Sequence, residues 1–284
     1  MSYVTYENLT DTVIGATSAG TAPRNRQLVS SLITHLHAFI KETRPSLAEF
    51  LDACQFLARA GQISDDRRNE FILIANVLGV EVLIDMIAHD GDPQTCVLGP
   101  MYREGAPTYA NGESIVMVMP DDGELTLLEG YVRDAAGSAL QGVVVDVWEP
   151  STNGMYENQD AAQPDMNLRG RFTTDKDGYY ALRCLRPHGY PIPYDGPGGD
   201  LLKMLGRHPM RPAHIHFLIS APGYEPIIAQ VYDAEDKYLD DDAIFAVKQS
   251  LVSRFLPAPA GADVALQVRR DWVLKRVGEG GGKK

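Results

Sequence analysis

The hydrophobic pattern changes once along the chain, and this change limits the folds that the sequence can adopt. Over Arg26–Thr43, apolar side chains recur at the three- and four-residue spacing of a helix. A second helix is expected over Ser46–Gly61, because Ser46 and Glu49 have the spacing of a capping box. A third is expected over Ser64–Ile87, where acidic residues occupy the first turn. The first hundred residues are therefore predicted to be helical.

After Glu124 the sequence changes to short runs rich in β-branched and aromatic residues, separated by Gly, Pro and Asp turns. This pattern predicts a fold that is mainly β, an antiparallel β-sandwich, with an α-helical N-terminal domain. The predicted domains are residues 1–105 and 106–284. One helix, Asp240–Phe255, is expected to interrupt the strands, with Asp240, Asp241 and Asp242 as its solvated N-terminus. The predicted strands are 125–132, 143–148, a hairpin of 171–174 and 179–182 around the turn 175–178, and then 214–220, 227–232 and 264–274.

The composition excludes several classes of protein. With 44% hydrophobic and 23% charged residues, the 284-residue chain has the composition of an ordinary globular protein. A formal net charge of −12 argues against nucleic acid or an anionic membrane as the main partner. The three cysteines, Cys54, Cys96 and Cys184, form no C-x-x-C pair, which argues against a disulfide framework or a thiolate zinc site. No secretory signal and no membrane span are expected, so a cytoplasmic protein is predicted.

Two histidines offer the first indication of chemistry. His214 and His216 are two residues apart on a predicted strand, so both imidazoles point to one face and could hold a metal ion. Alone, this pair is weak evidence for a metal, because two structural histidines are the more common case. Two tyrosines lie in Gly-containing loops that follow earlier strands, Tyr156 and Tyr190. The sequence contains no H-E-x-x-H and no zinc-deaminase motif.

Several motifs together resemble one family, the intradiol ring-cleavage dioxygenases, in the branch that acts on catechol and hydroxyquinol. These are non-haem ferric enzymes that open a catechol ring between its two hydroxyl-bearing carbons. The resemblance implies that residues 1–105 form a helical linker and dimerisation domain and that residues 106–284 form the catalytic sandwich. A homodimer through the N-terminal helices is therefore expected, and a phospholipid is a candidate partner. The motifs are Leu128–Gly130, Val147–Trp148, Asn167–Arg169, Gly206–His208 and Arg211–Phe217.

The resemblance also implies the roles of individual residues. Fe(III) would be held by Tyr156, Tyr190, His214 and His216, with Tyr190 as the ligand that substrate displaces. Arg211 would lie beside the substrate ring, and Gln230 would border the same site, so the implied catalytic residues are Arg211, Tyr190 and Gln230. The implied substrate pocket is formed by Leu73, Asn76, Leu98, Gly99, Pro100, Ile192, Pro193, Arg211 and Ile244.

Charge balance supports this ligand set. A free phenol has a pKa near ~10, so tyrosine is a poor ligand at neutral pH unless a strong cation removes its proton. Two tyrosinates and a hydroxide balance the three charges of Fe(III). A catechol dianion can replace one tyrosinate and the hydroxide without changing the total charge, and the displaced groups can accept the substrate's protons.

Within the family, the segments Gly189–Gly199, Gly206–Pro209 and Tyr238–Phe245 resemble the hydroxyquinol (benzene-1,2,4-triol) branch, so O2 and this aromatic triol are the expected substrates. One position differs, because Asn76 stands where that branch has an aspartate. An amide can accept a hydrogen bond but supplies no charge, so catechol or a substituted catechol stays open. Two other classes also stay open: a non-enzymatic β-sandwich binding protein and a zinc hydrolase.

Overall fold

The computed structural model describes residues 3–65 and 68–278. The remaining residues of the two predicted domains, including Asp66, Arg67 and the glycine- and lysine-rich C-terminus, lie outside the described residues. The chain divides into two compact units, residues 1–59 and 60–284. The predicted boundary at residue 105 stays a prediction.

The first unit consists of α1 (Leu9–Gly15), α2 (Pro23–Thr43) and most of α3 (Leu47–Ile63). The predicted capping box of α3 is present: Glu49 Oε2 accepts from the Ser46 backbone N–H at 2.7 Å, and the Glu49 N–H donates to Ser46 Oγ at 3.3 Å. α2 starts at a proline, which has no N–H to leave unpaired at the first turn.

The predicted third helix is wrong as a single element, since it forms two helices, α4 (Glu70–Val77) and α5 (Val80–Ala88). The break is at Gly79, whose φ of +71° is left-handed and stops the helix. α4 is capped by Asn69, whose side chain accepts from the N–H groups of the first turn. By length and hydropathy no single described helix could cross a bilayer, and α4 with α5 passes that test only as a pair bent by 78°.

The second unit is built on two five-stranded sheets and a short two-stranded one. The first sheet has the order β10-β11-β1-β12, with β4 on the other side of β1, and the second has the order β3-β2-β7-β8-β9. Most pairings are antiparallel, but β1 runs parallel to β11 and β12, and β8 runs parallel to β9. The strands are β1 Leu125–Asp134, β2 Val144–Trp148, β3 Arg169–Thr173, β4 Tyr179–Leu185, β5 Tyr190–Pro191, β6 Met210–Arg211, β7 His214–Ser220, β8 Ile227–Asp233, β9 Val252–Ser253, β10 Leu256–Pro257, β11 Leu266–Arg269 and β12 Trp272–Leu274.

The sandwich core lies between the two large sheets. Alternate residues of β1 are buried, which is the pattern of a strand with one face against a core. Phe217 of β7 contacts Trp272 of β12, with ring centroids 5.3 Å apart, so side chains from both sheets meet. The predicted class, a β-sandwich with an N-terminal helical region, is confirmed.

Two strand predictions are wrong in detail. The turn 175–178 forms, but its flanking strands do not pair as a hairpin, because β3 pairs with β2 and β4 pairs with β1. The chain therefore changes sheets at this turn. The predicted strand 264–274 is interrupted at Arg270, where a Cβ on Gly130 would meet the Arg270 carbonyl oxygen at 1.7 Å. Only glycine allows this close approach.

The predicted helix Asp240–Phe255 is also wrong. The segment forms turns and a single 3₁₀ turn, Gln249–Leu251, before β9. Its side chains instead fold inward, since Ala243, Ile244 and Ala246 are buried. A helix absent from the prediction, α6 (Pro197–Met204), begins in the glycine-rich segment and packs near α4.

Candidate active site

A cavity of about 620 Å³ opens in the second unit between α4, the loop after Val97, the Tyr156 loop and the Tyr190–Asp195 segment. Eight of the nine predicted pocket residues line it, and Leu98 does not. The eight are Leu73, Asn76, Gly99, Pro100, Ile192, Pro193, Arg211 and Ile244. The wall is largely apolar, as is usual for a pocket that binds a small molecule.

The two histidines lie side by side on β7, and both are buried. The Nε2 atoms of His214 and His216 are 3.2 Å apart. His214 Nδ1 donates to the Pro212 carbonyl oxygen at 2.7 Å, which fixes its proton on Nδ1 and leaves the Nε2 lone pair beside His216 Nε2 and Tyr190 Oη. The strand thus presents one imidazole in a defined tautomer beside the other.

His216 is fixed by packing. The Trp148 ring stacks on it with centroids 4.9 Å apart and planes 9° apart, because β2 pairs Trp148 with His216 in register. In addition, a Cβ on Gly99 would lie 3.1 Å from His216 Cε1. Gly99 also has a φ of +76°, so this position favours glycine on both counts.

The two tyrosines come from separate loops and meet at the histidines. Tyr156 Oη is 3.3 Å from Tyr190 Oη, and Tyr190 Oη is 3.3 Å from His214 Nε2. Gly154, with a φ of +78°, makes room for this approach, since a Cβ there would be 2.8 Å from the Tyr190 Cβ. All four predicted ligands are thus brought together: the phenol oxygens and imidazole nitrogens form a chain with neighbours 3.2–3.3 Å apart.

Burial controls the protonation of these groups. It lowers the pKa of both His214 and His216 well below the ordinary value, and the Arg211 charge lowers them further. Both imidazoles are therefore neutral at pH 7, with lone pairs available. Burial and the neighbouring Tyr190 raise the pKa of Tyr156 well above 10. Only a strong positive charge at the site would make a tyrosinate there.

The donor set fits a hard, highly charged metal ion. Ligand atoms about 2 Å from a common ion lie roughly 3 Å from each other when adjacent, which matches the 3.2–3.3 Å separations. His216 Nδ1 is buried with no hydrogen-bond partner in the part of the chain that the structure describes. Within residues 3–65 and 68–278, no group of three or more His, Cys, Asp and Glu side chains could hold a metal ion. The histidines are completed by phenols, which does not favour a zinc site.

Arg211 is buried beside the donor atoms at the centre of a hydrogen-bond network. Its Nη1 lies 3.0 Å from His214 Nε2, and its Nη2 donates to Gln230 Oε1 at 2.8 Å and to Tyr232 Oη at 3.0 Å. Gln230 does not line the cavity, but its amide also donates to the Val97 carbonyl at 2.9 Å and so connects Arg211 with the loop that carries Gly99.

The environment of Asp242 differs from the one predicted. It was expected at a solvated helix terminus, but it is buried and ion-paired with Arg211, with 3.3 Å between Arg211 Nε and Asp242 Oδ1. The same carboxylate accepts from the backbone N–H groups of Ile244 and Ala246. Burial by itself would lower the pKa of Arg211, but Asp242 and nearby tyrosines raise it well above its ordinary value, so it stays charged.

A second buried arginine, Arg169, lies over the ring of Tyr156 at 5.5 Å. It donates to Glu157 Oε2 at 2.8 Å and to the Met101 carbonyl at 2.7 Å. Arg169 belongs to one of the motifs noted in the sequence, and its position supplies a physical reason for that motif: it holds the loop of Tyr156 against the loop after Gly99.

Asn76 reaches the cavity from the last turn of α4. Its Oδ1 is buried with no hydrogen-bond partner among the described residues. Its side chain also bonds Glu81, whose pKa is raised by burial and lowered in part by that bond. Asn76 therefore combines a place in the cavity wall with a buried acceptor oxygen that has no protein donor among the described residues.

Nine further lining residues were not among the predicted ligands and pocket residues. They are Arg68, Met101, Asn153, Gly154, Met155, Gln159, Pro191, Tyr194 and Asp195. All of them except Arg68 lie within three residues of a predicted site residue, so their loops could have indicated them. Arg68 could not be found this way, since it contributes through an ion pair with Asp195, 127 residues away.

The amino-acid sequence matches two family profiles. Residues 22–95 match the profile described as the catechol dioxygenase N terminus, and residues 97–276 match the one described as dioxygenase. A catechol 1,2-dioxygenase of Candida albicans is 41% identical over 252 residues, which covers 87% of this chain and 83% of the relative. A hydroxyquinol 1,2-dioxygenase of Rhizobium sp. is 38% identical over 257 residues, which covers 89% and 86%.

Solved structures agree with this result. The hydroxyquinol 1,2-dioxygenase of Pseudomonas putida DLL-E4 superposes with a TM-score of 0.90 at 37% identity, covering 95% of this chain and 98% of that one. The catechol 1,2-dioxygenase of Acinetobacter radioresistens gives a TM-score of 0.82 at 29% identity, covering 95% and 92%. These are enzymes, and the match extends over both regions of the sequence. The chain belongs to the intradiol ring-cleavage dioxygenase family.

Proposed function

We propose that this enzyme holds Fe(III) through Tyr156, Tyr190, His214 and His216 and cleaves hydroxyquinol with O2. The carbon–carbon bond between two hydroxyl-bearing carbons breaks, both oxygen atoms enter the product, and a maleylacetate or hydroxymuconate-type diacid results. The observation that carries the proposal is the convergence of two phenol oxygens and two imidazole nitrogens at 3.2–3.3 Å in one cavity. When bound, Fe(III) would supply the charge that binds the substrate's two oxygens and makes the ring electron-rich toward O2.

The four ligands divide into rigid and mobile members. His214 and His216 are on a buried strand, and Tyr156 is fully buried under Arg169. Tyr190 is only half-buried and lies on the two-residue strand β5. Tyr190 is therefore the ligand that substrate displaces most easily, and its phenolate oxygen can accept a substrate proton as it leaves.

Arg211 acts on the substrate ring. Its guanidinium keeps its charge beside the imidazoles, and its orientation is fixed by Asp242 and Gln230. A fixed positive charge at this position stabilises negative charge that develops on the ring, without reorganisation during the reaction. Gln230 is a positioning residue for this arginine.

The substrate's third hydroxyl group has a partner in the cavity. Asn76 Oδ1 is a buried acceptor without a protein donor, and a ring hydroxyl can donate to it. A ring without this hydroxyl leaves the acceptor unpaired, which costs about 1–3 kcal/mol. This cost favours the triol over catechol, and the 38% identical hydroxyquinol enzyme supports the same choice.

Oxygen uptake tests the proposal most directly. Purified, iron-loaded enzyme is given hydroxyquinol or catechol, and O2 consumption is followed with the ultraviolet absorbance of the diacid. We expect both rings to be opened, with the higher kcat/KM for hydroxyquinol. Tyr190→Phe and His216→Ala should each lose or shift the visible ferric–tyrosinate band and abolish cleavage. Full activity in His216→Ala would remove that residue from the site.

Catechol cleavage to cis,cis-muconate is the second candidate function. Two observations favour it: Asn76 brings no negative charge to the pocket, and a catechol 1,2-dioxygenase is 41% identical. The same two-substrate assay distinguishes the two functions, since a higher kcat/KM for catechol would make it the preferred substrate.

We further propose a homodimer formed through the N-terminal helices, with a bound phospholipid, in the cytoplasm. α2 has no buried residue and exposes an apolar stripe that a second copy could cover. The described cysteines are free thiols, which suits a reducing compartment. Light scattering would give the mass of the particle, mass spectrometry of an organic extract would detect lipid, and fractionation would locate the protein.

A further inference from the structure

Arg207 belongs to the motif Gly206–His208, but it does not line the cavity, so contact with a bound ligand does not explain its role. It is the third residue after α6, and the intervening Gly206 adopts a left-handed φ of +67° at the end of the helix. The backbone N–H groups of Gly206 and Arg207 donate to the carbonyls of Lys203 and Leu202, at 3.1 and 2.9 Å. These bonds fix the direction in which the arginine side chain leaves the helix.

The Arg207 guanidinium joins two chain segments that border the cavity. Nη1 donates to the Val77 carbonyl at 2.8 Å, and Nη2 donates to the Ala243 carbonyl at 2.7 Å. Val77 directly follows Asn76, and Ala243 directly precedes Ile244, and both of these neighbours line the cavity. One side chain therefore connects two walls of the pocket.

The Val77 carbonyl, which accepts a hydrogen bond from Arg207, lies at the C-terminus of α4, where a positive charge is favoured. Val77 is the last residue of the helix, and the carbonyls of a last helical turn have no intrahelical partner. A positive charge at a helix C-terminus is also favoured by the helix dipole. Arg207 thus caps α4 from another element.

The second segment is held in an unusual backbone conformation. Phe245 has a φ of +62°, which is rare for an aromatic residue and persists only where surrounding contacts enforce it. Arg207 lies over its ring at 4.3 Å, and the ring also packs beside Gly79. On the inner side, Asp242 holds the N–H groups of Ile244 and Ala246.

We propose that Arg207 is a positioning residue that sets the width of the substrate pocket between Asn76 and Ile244, and through this width selects which ring substituents are accepted. This inference rests on the proposed ring cleavage. Arginine suits the task because its planar fork binds two carbonyls at fixed separation, whereas a lysine ammonium is a point charge on a flexible stem. Arg207 touches neither the substrate nor the predicted iron ligands.

Arg207→Lys keeps the charge and removes the fork, so it is the decisive variant. We expect KM for hydroxyquinol to rise by about fivefold or more, with kcat changed less, because the bound ring is held less closely. The ratio of kcat/KM for hydroxyquinol to that for a bulkier 4-alkylcatechol should fall by about fivefold or more, since the wider pocket accepts the larger substituent.

Arg270→Lys is the matched control. Arg270 also donates to a backbone carbonyl, that of Ser250, and also lies over an aromatic ring, that of Trp272 at 4.5 Å. It does not line the cavity. The control variant is therefore expected to lose comparable stability while keeping the wild-type ratio of substrates. A fall in the ratio as large as that of Arg207→Lys would overturn the proposal.

Hydrogen exchange measures the effect without activity. In Arg207→Lys, amides of residues 243–247 and of the last turn of α4 should exchange faster than in wild type, and in Arg270→Lys they should not. Unchanged exchange and an unchanged substrate ratio in Arg207→Lys would refute the positioning role. A wild-type enzyme that opens neither ring would instead contradict the proposed function, while faster exchange would still support the connection between the two walls.

Discussion

Glycine stands at two positions where the ring of a predicted iron ligand passes close to the backbone. Gly99 adjoins His216, and Gly154 adjoins Tyr190, and both have positive φ angles. An alanine at either position would need a backbone conformation that L-residues rarely adopt and would also contact the ligand. At the scale of single residues, the site therefore depends on having glycine at these two positions as much as on the predicted ligands.

Gly154→Ala should displace Tyr190. The added Cβ would be 2.8 Å from the Tyr190 Cβ, too close for a real contact, so the tyrosine must move. We expect kcat/KM to fall by on the order of 10- to 100-fold and the visible ferric–tyrosinate band to weaken. Gly137→Ala is the control, because Gly137 has a φ of +84° but open space around it. Equal losses of activity in both variants would show that backbone strain alone is responsible.

Glu149 is a buried acid outside the predicted site. One carboxyl oxygen accepts from the Leu185 N–H at 2.8 Å, and the other is buried with no partner in the described chain. Burial raises the pKa of Glu149 to about 8. The folded protein therefore keeps this proton up to about pH 8, whereas the unfolded chain releases it near pH ~4.5.

The sign of the effect follows from this difference. Between these pH values the folded state binds more protons, so the contribution of Glu149 to stability is complete below pH ~4.5 and is lost as pH rises toward 8. Relative to Glu149→Gln, the wild-type free energy of unfolding should fall by up to about 1.4 kcal/mol per pH unit from pH 5 to 8. Urea unfolding across this range measures it. A difference that does not change with pH would contradict the assignment.

At the scale of elements, the segment after Asp240 shows how a sequence pattern can mislead. Its apolar residues have helical spacing. In the structure, however, Ile244 lines the cavity, and Ala243 and Ala246 are buried. Asp242 explains the difference, because its carboxylate binds two backbone N–H groups of the segment and the guanidinium of Arg211. Local side-chain bonds of this kind compete with helix formation.

Asp242→Asn should impair catalysis more than stability of the sandwich. The variant removes the charge that orients Arg211, so we expect kcat/KM for hydroxyquinol to fall on the order of 100-fold, together with a modest decrease in melting temperature. Asp240→Asn, at an exposed position in the same segment, is the control and should leave kcat/KM unchanged. If both variants retain wild-type kcat/KM, Asp242 has no role in orienting the arginine.

The helix α4 and the turn 175–178 also differ from what the sequence pattern predicted. The sequence indicated an apolar helical stretch over 64–87 but not its break, because the left-handed Gly79 matters only once the Phe245 ring packs against it. It indicated the turn but not the change of sheet, since turn residues specify local geometry while the partner strands are chosen by packing.

At the scale of the whole molecule, every predicted ligand and pocket residue lies in the second compact unit. The span runs from Leu73 to Ile244, whereas the first unit ends at Arg59. The predicted iron site and the substrate pocket are thus assembled within one unit, although their residues come from a helix, four loops and strands of two sheets.

A shortened chain of residues 60–284 should therefore retain the metal site. We expect it to bind about one iron per chain and to show the ferric–tyrosinate band, because the strands and loops that position the four ligands are all present. Metal analysis and visible spectroscopy provide the measurement, and circular dichroism verifies that the shortened chain is folded. A folded chain that binds no iron would mean that the first unit is needed to form the site.

The sequence by itself determined the fold class, the family and the identity of the residues that meet at the cavity, because residue types at fixed spacing on strands and loops are read locally. The tertiary structure decided the buried role of Asp242 and the connection made by Arg207 between α4 and the segment of Ile244. These features depend on groups that are far apart in the chain, and their hydrogen bonds and charges are strong only where folding has brought them together and removed water.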